Sequence, residues 1–134
     1  MTKLLKVEGI GEVYSQKLKE AGVRSAEALL ELGASANGRD DLAEKSGVSS
    51  KLILEWVNHV DLFRIKGVGE EYADLLEEAG VDSVPELAQR RADHLFEKMV
   101  ATNAEKKLVR KLPTQGQVAG WIEQAKQLPR KVTH

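Results

Sequence analysis

The sequence predicts an all-α protein built from two copies of one small helical unit, and three observations lead to that prediction. Residues 7–25 and 65–83 align without a gap and share ten of nineteen residues. Glycine, serine and proline stand where helices are expected to end and begin in both copies. No segment shows the sustained alternation of apolar and polar residues that is typical of a half-buried strand.

The composition is that of a globular chain with a modest core. Hydrophobic residues make up 42% of the 134 residues but aromatic ones only 4%, so we expect a core of Leu, Val, Ile and Ala. The absence of cysteine excludes disulfides, thiol catalysis and thiolate metal sites. The first residues contain no long apolar stretch, which predicts neither a signal peptide nor a membrane span and favours a cytoplasmic location.

The net charge of −1 conceals an asymmetry along the chain. Residues 70–97 contain nine acidic and two basic side chains, whereas residues 98–134 contain eight basic and two acidic ones, a local net of −7 against +6. Such a dipolar surface can orient a charged partner, but a chain with almost no net charge attracts a polyanion only weakly at long range.

The repeat predicts two domains, residues 1–64 and 65–134. The first copy reads VEGIGEVYSQKLKEAGVRS and the second reads IKGVGEEYADLLEEAGVDS. A further similarity links EWVNHV around Trp56 with GWIEQA around Trp121, at an offset of 65 residues instead of 58. We therefore expect the second domain to carry a longer helical insert, and the two tryptophans to occupy equivalent buried positions.

Local signals in each copy are helical. Gly22 and Gly80 are each followed by Val, a pattern that predicts the left-handed end of a helix. Ser25 and Ser83 then stand at the expected N-caps of the next helices. Similar reasoning predicts further helix starts near Asn37, Thr102 and Thr114. The predicted helices are 11–21, 26–33, 38–46 and 50–63, then 69–79, 84–91, 93–101, 103–111 and 115–128.

Chain order suggests how the copies pack. The helix around Trp56 runs directly into the second copy, whereas only residues 2–6 precede the first repeat, too few for a stable isolated helix. We therefore expect the last helix, around Trp121, to pack beside residues 9–11. The two copies would then form one compact, pseudo-symmetric body.

Two short motifs carry a family resemblance. Gly9-Ile10-Gly11 is followed by Ser15 and Leu18, and Gly67-Val68-Gly69 by Ala73 and Leu76. This pattern resembles the helix-hairpin-helix motif of SAM-like domains. Each unit is similar to the amino-terminal domain of archaeal and eukaryotic recombinases and to the carboxy-terminal domain of the RNA polymerase alpha subunit. Over residues 7–128 the chain resembles a bacterial two-unit family catalogued as a domain of unknown function, which implies a tandem helix-hairpin-helix fold but no activity.

In DNA-binding proteins with this motif, backbone amides at the turn and at the following helix face a phosphate. The resemblance therefore implies that the first glycine turn, Gly9, Ile10 and Gly11, binds nucleic acid, with Lys17 and Lys19 as flanking cations. The alternative, that the glycines serve only the turn, stays open. We expect the second glycine turn, Gly67, Val68 and Gly69, to be structural, because Glu70 and Glu71 follow it at the anion position.

The strongest basic cluster lies later in the chain. Lys106, Lys107, Arg110 and Lys111 have the spacing of one helical face, which indicates either a solvated surface or a contact with a polyanion. His59, His94 and His134 are isolated, so we expect no metal site and no cofactor. We find no catalytic motif, and the chain is not expected to be an enzyme.

The sequence therefore predicts a non-catalytic binding module. One hypothesis is weak, sequence-independent binding to a nucleic-acid backbone through the first glycine turn and the basic carboxy-terminal third. The alternative is a protein–protein adaptor that uses the acidic face around residues 70–78. Neither hypothesis includes a membrane or a small-molecule substrate.

Overall fold

The computed structural model describes residues 2–134, which contain helices and no strand. The prediction of an all-α protein is therefore confirmed. One short 3-10 helix covers Leu4–Lys6. The α-helices are α1 (Glu12–Glu20), α2 (Ala26–Gly33), α3 (Ala36–Ser46), α4 (Ser50–Leu62), α5 (Glu70–Glu78), α6 (Val84–Ala88), α7 (Ala92–Lys106) and α8 (Gln115–Gln127).

The chain divides into two compact units. Unit 1 contains the residues up to Asp61 together with Lys131–His134, and unit 2 is Leu62–Arg130. The boundary thus lies three residues before the one predicted between residues 64 and 65. The last four residues, which were expected to belong to the second domain, are part of unit 1.

Side-chain caps fix where five helices begin. The hydroxyl groups of Ser25, Ser35, Ser49, Ser83 and Thr114 each accept a hydrogen bond from the amide three residues later. The predicted start near Asn37 is wrong, because Ser35 accepts from the Gly38 amide at 3.0 Å and places Asn37 inside α3.

Glycine ends α1 and α5 as predicted. Gly22 and Gly80 have φ values of +94° and +98°, which an L side chain rarely adopts. The amides of Val23 and Val81 reach back to the carbonyls of Leu18 and Leu76, both at 2.8 Å. These bonds satisfy carbonyls at the helix ends, so the left-handed ends inferred from the Gly-Val pairs are confirmed.

The region between α6 and α8 differs from the prediction. The helices expected at 93–101 and 103–111 are wrong: α7 continues through Thr102 to Lys106, and residues 107–114 form a non-helical connection. The cause is Asn103, whose side chain accepts from the Val109 amide at 2.9 Å and donates to the Val109 carbonyl at 3.2 Å. This clamp holds the chain in a turn after α7.

Each unit has its own apolar core, closed by a tryptophan. Trp56 is 2% exposed in unit 1 and Trp121 is 4% exposed in unit 2, so their predicted burial is confirmed. The unit 2 core consists of Trp121 with residues from α5, α6 and α7, among them Leu76, Leu87 and Met99.

The expected partner of the last helix is wrong. Helix α8 belongs to unit 2 and packs against α6 and α7. Its Trp121 lies against Gly67 of the second glycine turn. Similarly, Trp56 of α4 lies against Gly9, so the last helix of each unit covers the glycine turn of the same unit.

Candidate functional site

The first glycine turn joins the 3-10 helix to α1. Gly9 has a φ of +90°, which reverses the chain direction, and Gly11 is the extended N-cap residue of α1. Ile10 lies between them with its side chain buried and its amide donating to the Val7 carbonyl at 3.0 Å. The Ile10 amide therefore already has a partner, which weakens the prediction that it faces a phosphate.

A tryptophan accounts for the absence of a side chain at Gly9. A Cβ atom built on Gly9 would lie 3.1 Å from Nε1 of Trp56. The indole also packs against the Tyr14 ring, with centroids 5.1 Å apart and planes at 62°. Gly9 thus has a structural role whether or not a ligand binds.

Helix α1 begins without a side-chain cap. Gly11 has no side chain to accept from the first-turn amides, in contrast to the Ser and Thr caps of α2, α3, α6 and α8. Glu12 is the acidic residue of the first turn, and it is exposed. This carboxylate lies near the positive end of the helix dipole and competes with any other anion there.

Cations and apolar side chains line one shallow surface groove on α1. Lys17 and Lys19 contribute the cations, and Leu5 and Val13 contribute exposed apolar surface, 53% and 69% exposed respectively. The Nζ atom of Lys17 lies 5.9 Å from the centroid of the Tyr14 ring, which is within reach of a cation–π contact. Glu12, the first residue of α1, lines the same groove as the two predicted lysines, which lie in the last turn of the helix.

The second glycine turn has the same backbone with a different surface. Gly67 has a φ of +96°, its Cβ would lie 3.1 Å from Nε1 of Trp121, and the Val68 amide donates to Ile65 at 3.1 Å. Gly69 is the uncapped N-cap residue of α5. Glu70 and Glu71 occupy the first turn of that helix, and Glu77 stands where the first unit has Lys19.

A glutamine that sequence reasoning missed also holds this second turn. The Gln124 side chain accepts from the Lys66 amide at 2.9 Å and donates to the Lys66 carbonyl at 3.1 Å. The similarity between EWVNHV and GWIEQA places Gln124 opposite His59, so the repeat gave no signal for this contact.

The predicted basic face is not helical. Because α7 ends at Lys106 and Lys107 adopts a left-handed conformation with φ of 52°, the expected single face of Lys106, Lys107, Arg110 and Lys111 is wrong. Lys106 instead donates to the Glu78 carboxylate at 2.6 Å. That hydrogen bond and the Glu78 charge raise the pKa of Lys106 above its ordinary value.

The remaining three cations stay exposed around a fixed connection. Lys107, Arg110 and Lys111 are exposed, and the Tyr72 hydroxyl donates to the Lys111 carbonyl at 3.0 Å. Together with the Asn103 clamp, this bond fixes the backbone that carries them.

Residues 2–134 offer neither a metal-binding cluster nor a membrane-spanning helix. That part of the chain holds no group of three or more His, Asp or Glu side chains placed to bind a metal ion. No helix in the described residues combines the length and the apolar character that a bilayer crossing demands.

Comparison with known proteins identifies the family. The family model for DUF4332, a domain of unknown function, matches residues 8–128. The chain therefore belongs to that family. Neither the curated proteins nor the solved structures contain a match.

Proposed function

We propose that this member of the DUF4332 family is a non-catalytic module that binds the backbone of nucleic acid weakly and without sequence preference. The contact is the first glycine turn, a helix-hairpin-helix turn in this proposal. The observation that carries it is one groove along α1, lined by Glu12 at the uncapped start of the helix and by Lys17 and Lys19 in its last turn. Uncapped amides and cations in the same groove both favour phosphates.

The neighbouring apolar side chains are compatible with the same ligand. A nucleic-acid backbone presents sugar faces between its phosphates, and protein contacts to phosphate and sugar fix position without reading sequence. Leu5 and Val13 offer apolar surface in the groove that holds the lysines. The expected recognition therefore depends on charge and shape, and base identity does not enter.

The second glycine turn provides a matched control within the same chain. Its backbone and its tryptophan contact reproduce those of the first turn, but Glu70 and Glu71 occupy the first turn of α5, and Glu77 lies near the end of that helix. We propose that it serves the fold alone. Exposed Lys107, Arg110 and Lys111 are a separate proposed contact in unit 2.

Fluorescence anisotropy with a labelled duplex at several salt concentrations tests the proposal. Each phosphate neutralised on duplex DNA contributes about −0.9 to the log–log salt slope, so Lys17 and Lys19 together contribute about −2. The variant Lys17→Gln/Lys19→Gln should flatten the slope by about that amount. Lys45→Gln removes a charge from α3, where Lys45 pairs with Asp41 at 3.0 Å, and should change binding much less.

Charge reversal at equivalent positions distinguishes the two turns. Glu12→Lys should strengthen binding, because it removes the competing carboxylate and adds a cation at the start of α1. Glu70→Lys makes the same change at the start of α5, amid the remaining acids, and should strengthen binding much less.

Two results would overturn the proposal. The first is no detectable binding at about 50 mM salt, where backbone contacts are strong. The second is equal strengthening by Glu12→Lys and Glu70→Lys, which would show that binding does not depend on the first turn and its two lysines in particular. Absence of binding would leave the adaptor hypothesis, whose acidic face around residues 70–78 would then be tested by capture of a basic partner.

A further inference from the structure

Unit 1 is completed by residues that follow unit 2 in the sequence. Helix α8 ends at Gln127, and the backbone is already extended at Leu128. Residues 131–134, which we call the closing segment, belong to unit 1. Val132 in this segment is 4% exposed, so its side chain is buried.

Polar contacts hold the closing segment on either side of Val132. The Thr133 amide donates to the Ala34 carbonyl at 2.8 Å, and the Thr133 carbonyl accepts from Nη2 of Arg39 at 2.7 Å. Before Val132, Nζ of Lys131 donates to a carboxylate oxygen of Glu31 at 2.6 Å. The segment is thus held by backbone hydrogen bonds of Thr133, by the buried side chain of Val132 and by the ammonium group of Lys131.

The receiving surface, which we call the acceptor site, is organised by a buried arginine. Arg39 is 4% exposed, and its Nη1 donates to the carbonyls of Gly33 and Ala34 at 2.9 and 3.1 Å. These carbonyls lie at the end of α2, where a cation is favourable. The Arg39 guanidinium binds the Thr133 carbonyl. Its position is fixed by the carbonyls of Gly33 and Ala34, which lie outside the closing segment.

We propose that the acceptor site binds an extended Lys-Val-Thr segment in trans, and that a second copy of this chain supplies it. The polar contacts named above join Lys131 and Thr133 to residues 31–39. The same contacts are available to residues 131–134 of another copy. The covalently attached segment has an effective concentration in the millimolar range, so exchange between copies requires high protein concentration.

A labelled peptide of residues 130–134 tests the acceptor site directly. The full chain with Val132→Asp has a segment that no longer fits the apolar position, so its acceptor site is open to the peptide. We expect saturable binding with a Kd on the order of 1 mM or tighter. The peptide should bind at least tenfold more weakly when it carries Val132→Asp itself, or when the chain also carries Arg39→Met.

A mixing experiment tests whether copies exchange the segment. A chain with Arg39→Met has a normal closing segment but a defective acceptor site. A chain with Val132→Asp has a normal acceptor site but a defective closing segment. Sedimentation of the mixture at about 1 mM should show a heterodimer that neither variant forms alone. DNA binding plays no part in either readout, so this inference and the proposed function can fail independently.

Circular dichroism verifies that the acceptor chain is folded before either experiment. If Val132→Asp loses helical signal, Val132→Ser replaces it, because that change keeps a small side chain at the buried position. A folded acceptor chain that shows no saturable binding up to about 5 mM peptide overturns the acceptor site. Peptide binding together with a mixture that stays monomeric overturns exchange between copies.

Discussion

Replacing Gly9 by alanine changes two properties at once, and Gly22 allows them to be separated. Gly9 has φ of +90°, and the new Cβ would lie 3.1 Å from Nε1 of Trp56. Gly22 has φ of +94°, and a Cβ there would meet no atom within 4 Å. Both substitutions impose a similar backbone penalty, and only Gly9→Ala adds a close contact with the indole.

The expected magnitudes follow from those two effects. An alanine in a left-handed conformation costs roughly 1–2 kcal/mol. Trp56 is buried and packed on Tyr14, so it cannot move away without losing contacts, and overpacking of this kind costs about 1–3 kcal/mol. We therefore expect Gly22→Ala to lower the free energy of unfolding by about 1–2 kcal/mol and Gly9→Ala by about 2–5 kcal/mol.

Urea unfolding followed by circular dichroism measures both values. The comparison requires similar dependence of the unfolding free energy on urea in the two variants, since a changed slope would indicate a changed denatured state. In unit 2, Gly67→Ala makes the corresponding contact with Trp121, but Gly80→Ala is not a contact-free reference, because its Cβ would lie 3.3 Å from Nη2 of Arg90. An equal loss of stability in Gly9→Ala and Gly22→Ala would refute the role assigned to the tryptophan contact.

Two further predictions concern a helix cap and an ion pair. Ser35→Ala should lower the free energy of unfolding by about 1 kcal/mol because it removes the cap of α3, whereas Asn37→Ala should change it by less than about 0.5 kcal/mol; equal losses would contradict the observed cap. Glu78→Gln should lower the pKa of Lys106 toward its ordinary value, measured by NMR titration. Because folding raises this pKa, the pair stabilises the fold below the ordinary lysine pKa, and the contribution is lost as the pH rises through the raised value.

The parts of the fold that local sequence determines were predictable. Gly-Val helix ends and Ser N-caps depend on residues within four positions along the chain. The roles of Gly22 and Gly80 as helix ends, and of Ser25 and Ser83 as N-caps, could therefore be predicted from the sequence. Asn37 was misread because Ser35, two residues earlier, has the same capping chemistry and is the residue that accepts the bond.

Features that depend on distant partners were not predictable from one sequence. Asn103 was expected to lie at a helix start, and its partner Val109 instead makes it a clamp after α7. The burial of Arg39 could not be predicted either, because one of its hydrogen-bond partners is the Thr133 carbonyl, 94 residues away in the chain. The partner of Trp121 was misassigned because chain order favoured the helix that precedes the second turn as its cover. The tryptophan that contacts each turn is instead on the last helix of the same unit.

The comparison of the two units indicates where a ligand could be recognised. Both units have a glycine turn with positive φ, a tryptophan Nε1 3.1 Å from the Cβ position, and a tyrosine ring on that tryptophan. Packing accounts for these shared features, so they carry no information about binding. The charges differ, since the second unit has Leu75 and Glu77 at the positions of Lys17 and Lys19.

A phosphate site built from the turn alone would therefore be present twice, and the two charge reversals Glu12→Lys and Glu70→Lys would strengthen DNA binding alike. A site that needs Lys17 and Lys19 is present once, in unit 1. Its contribution to the salt dependence of DNA binding is lost when both lysines are replaced. The additional change Glu77→Lys would then give the second turn one of its missing cations. Binding gained by Glu70→Lys/Glu77→Lys, but not by Glu70→Lys alone, would show that the cations, and not the glycines, determine which turn binds.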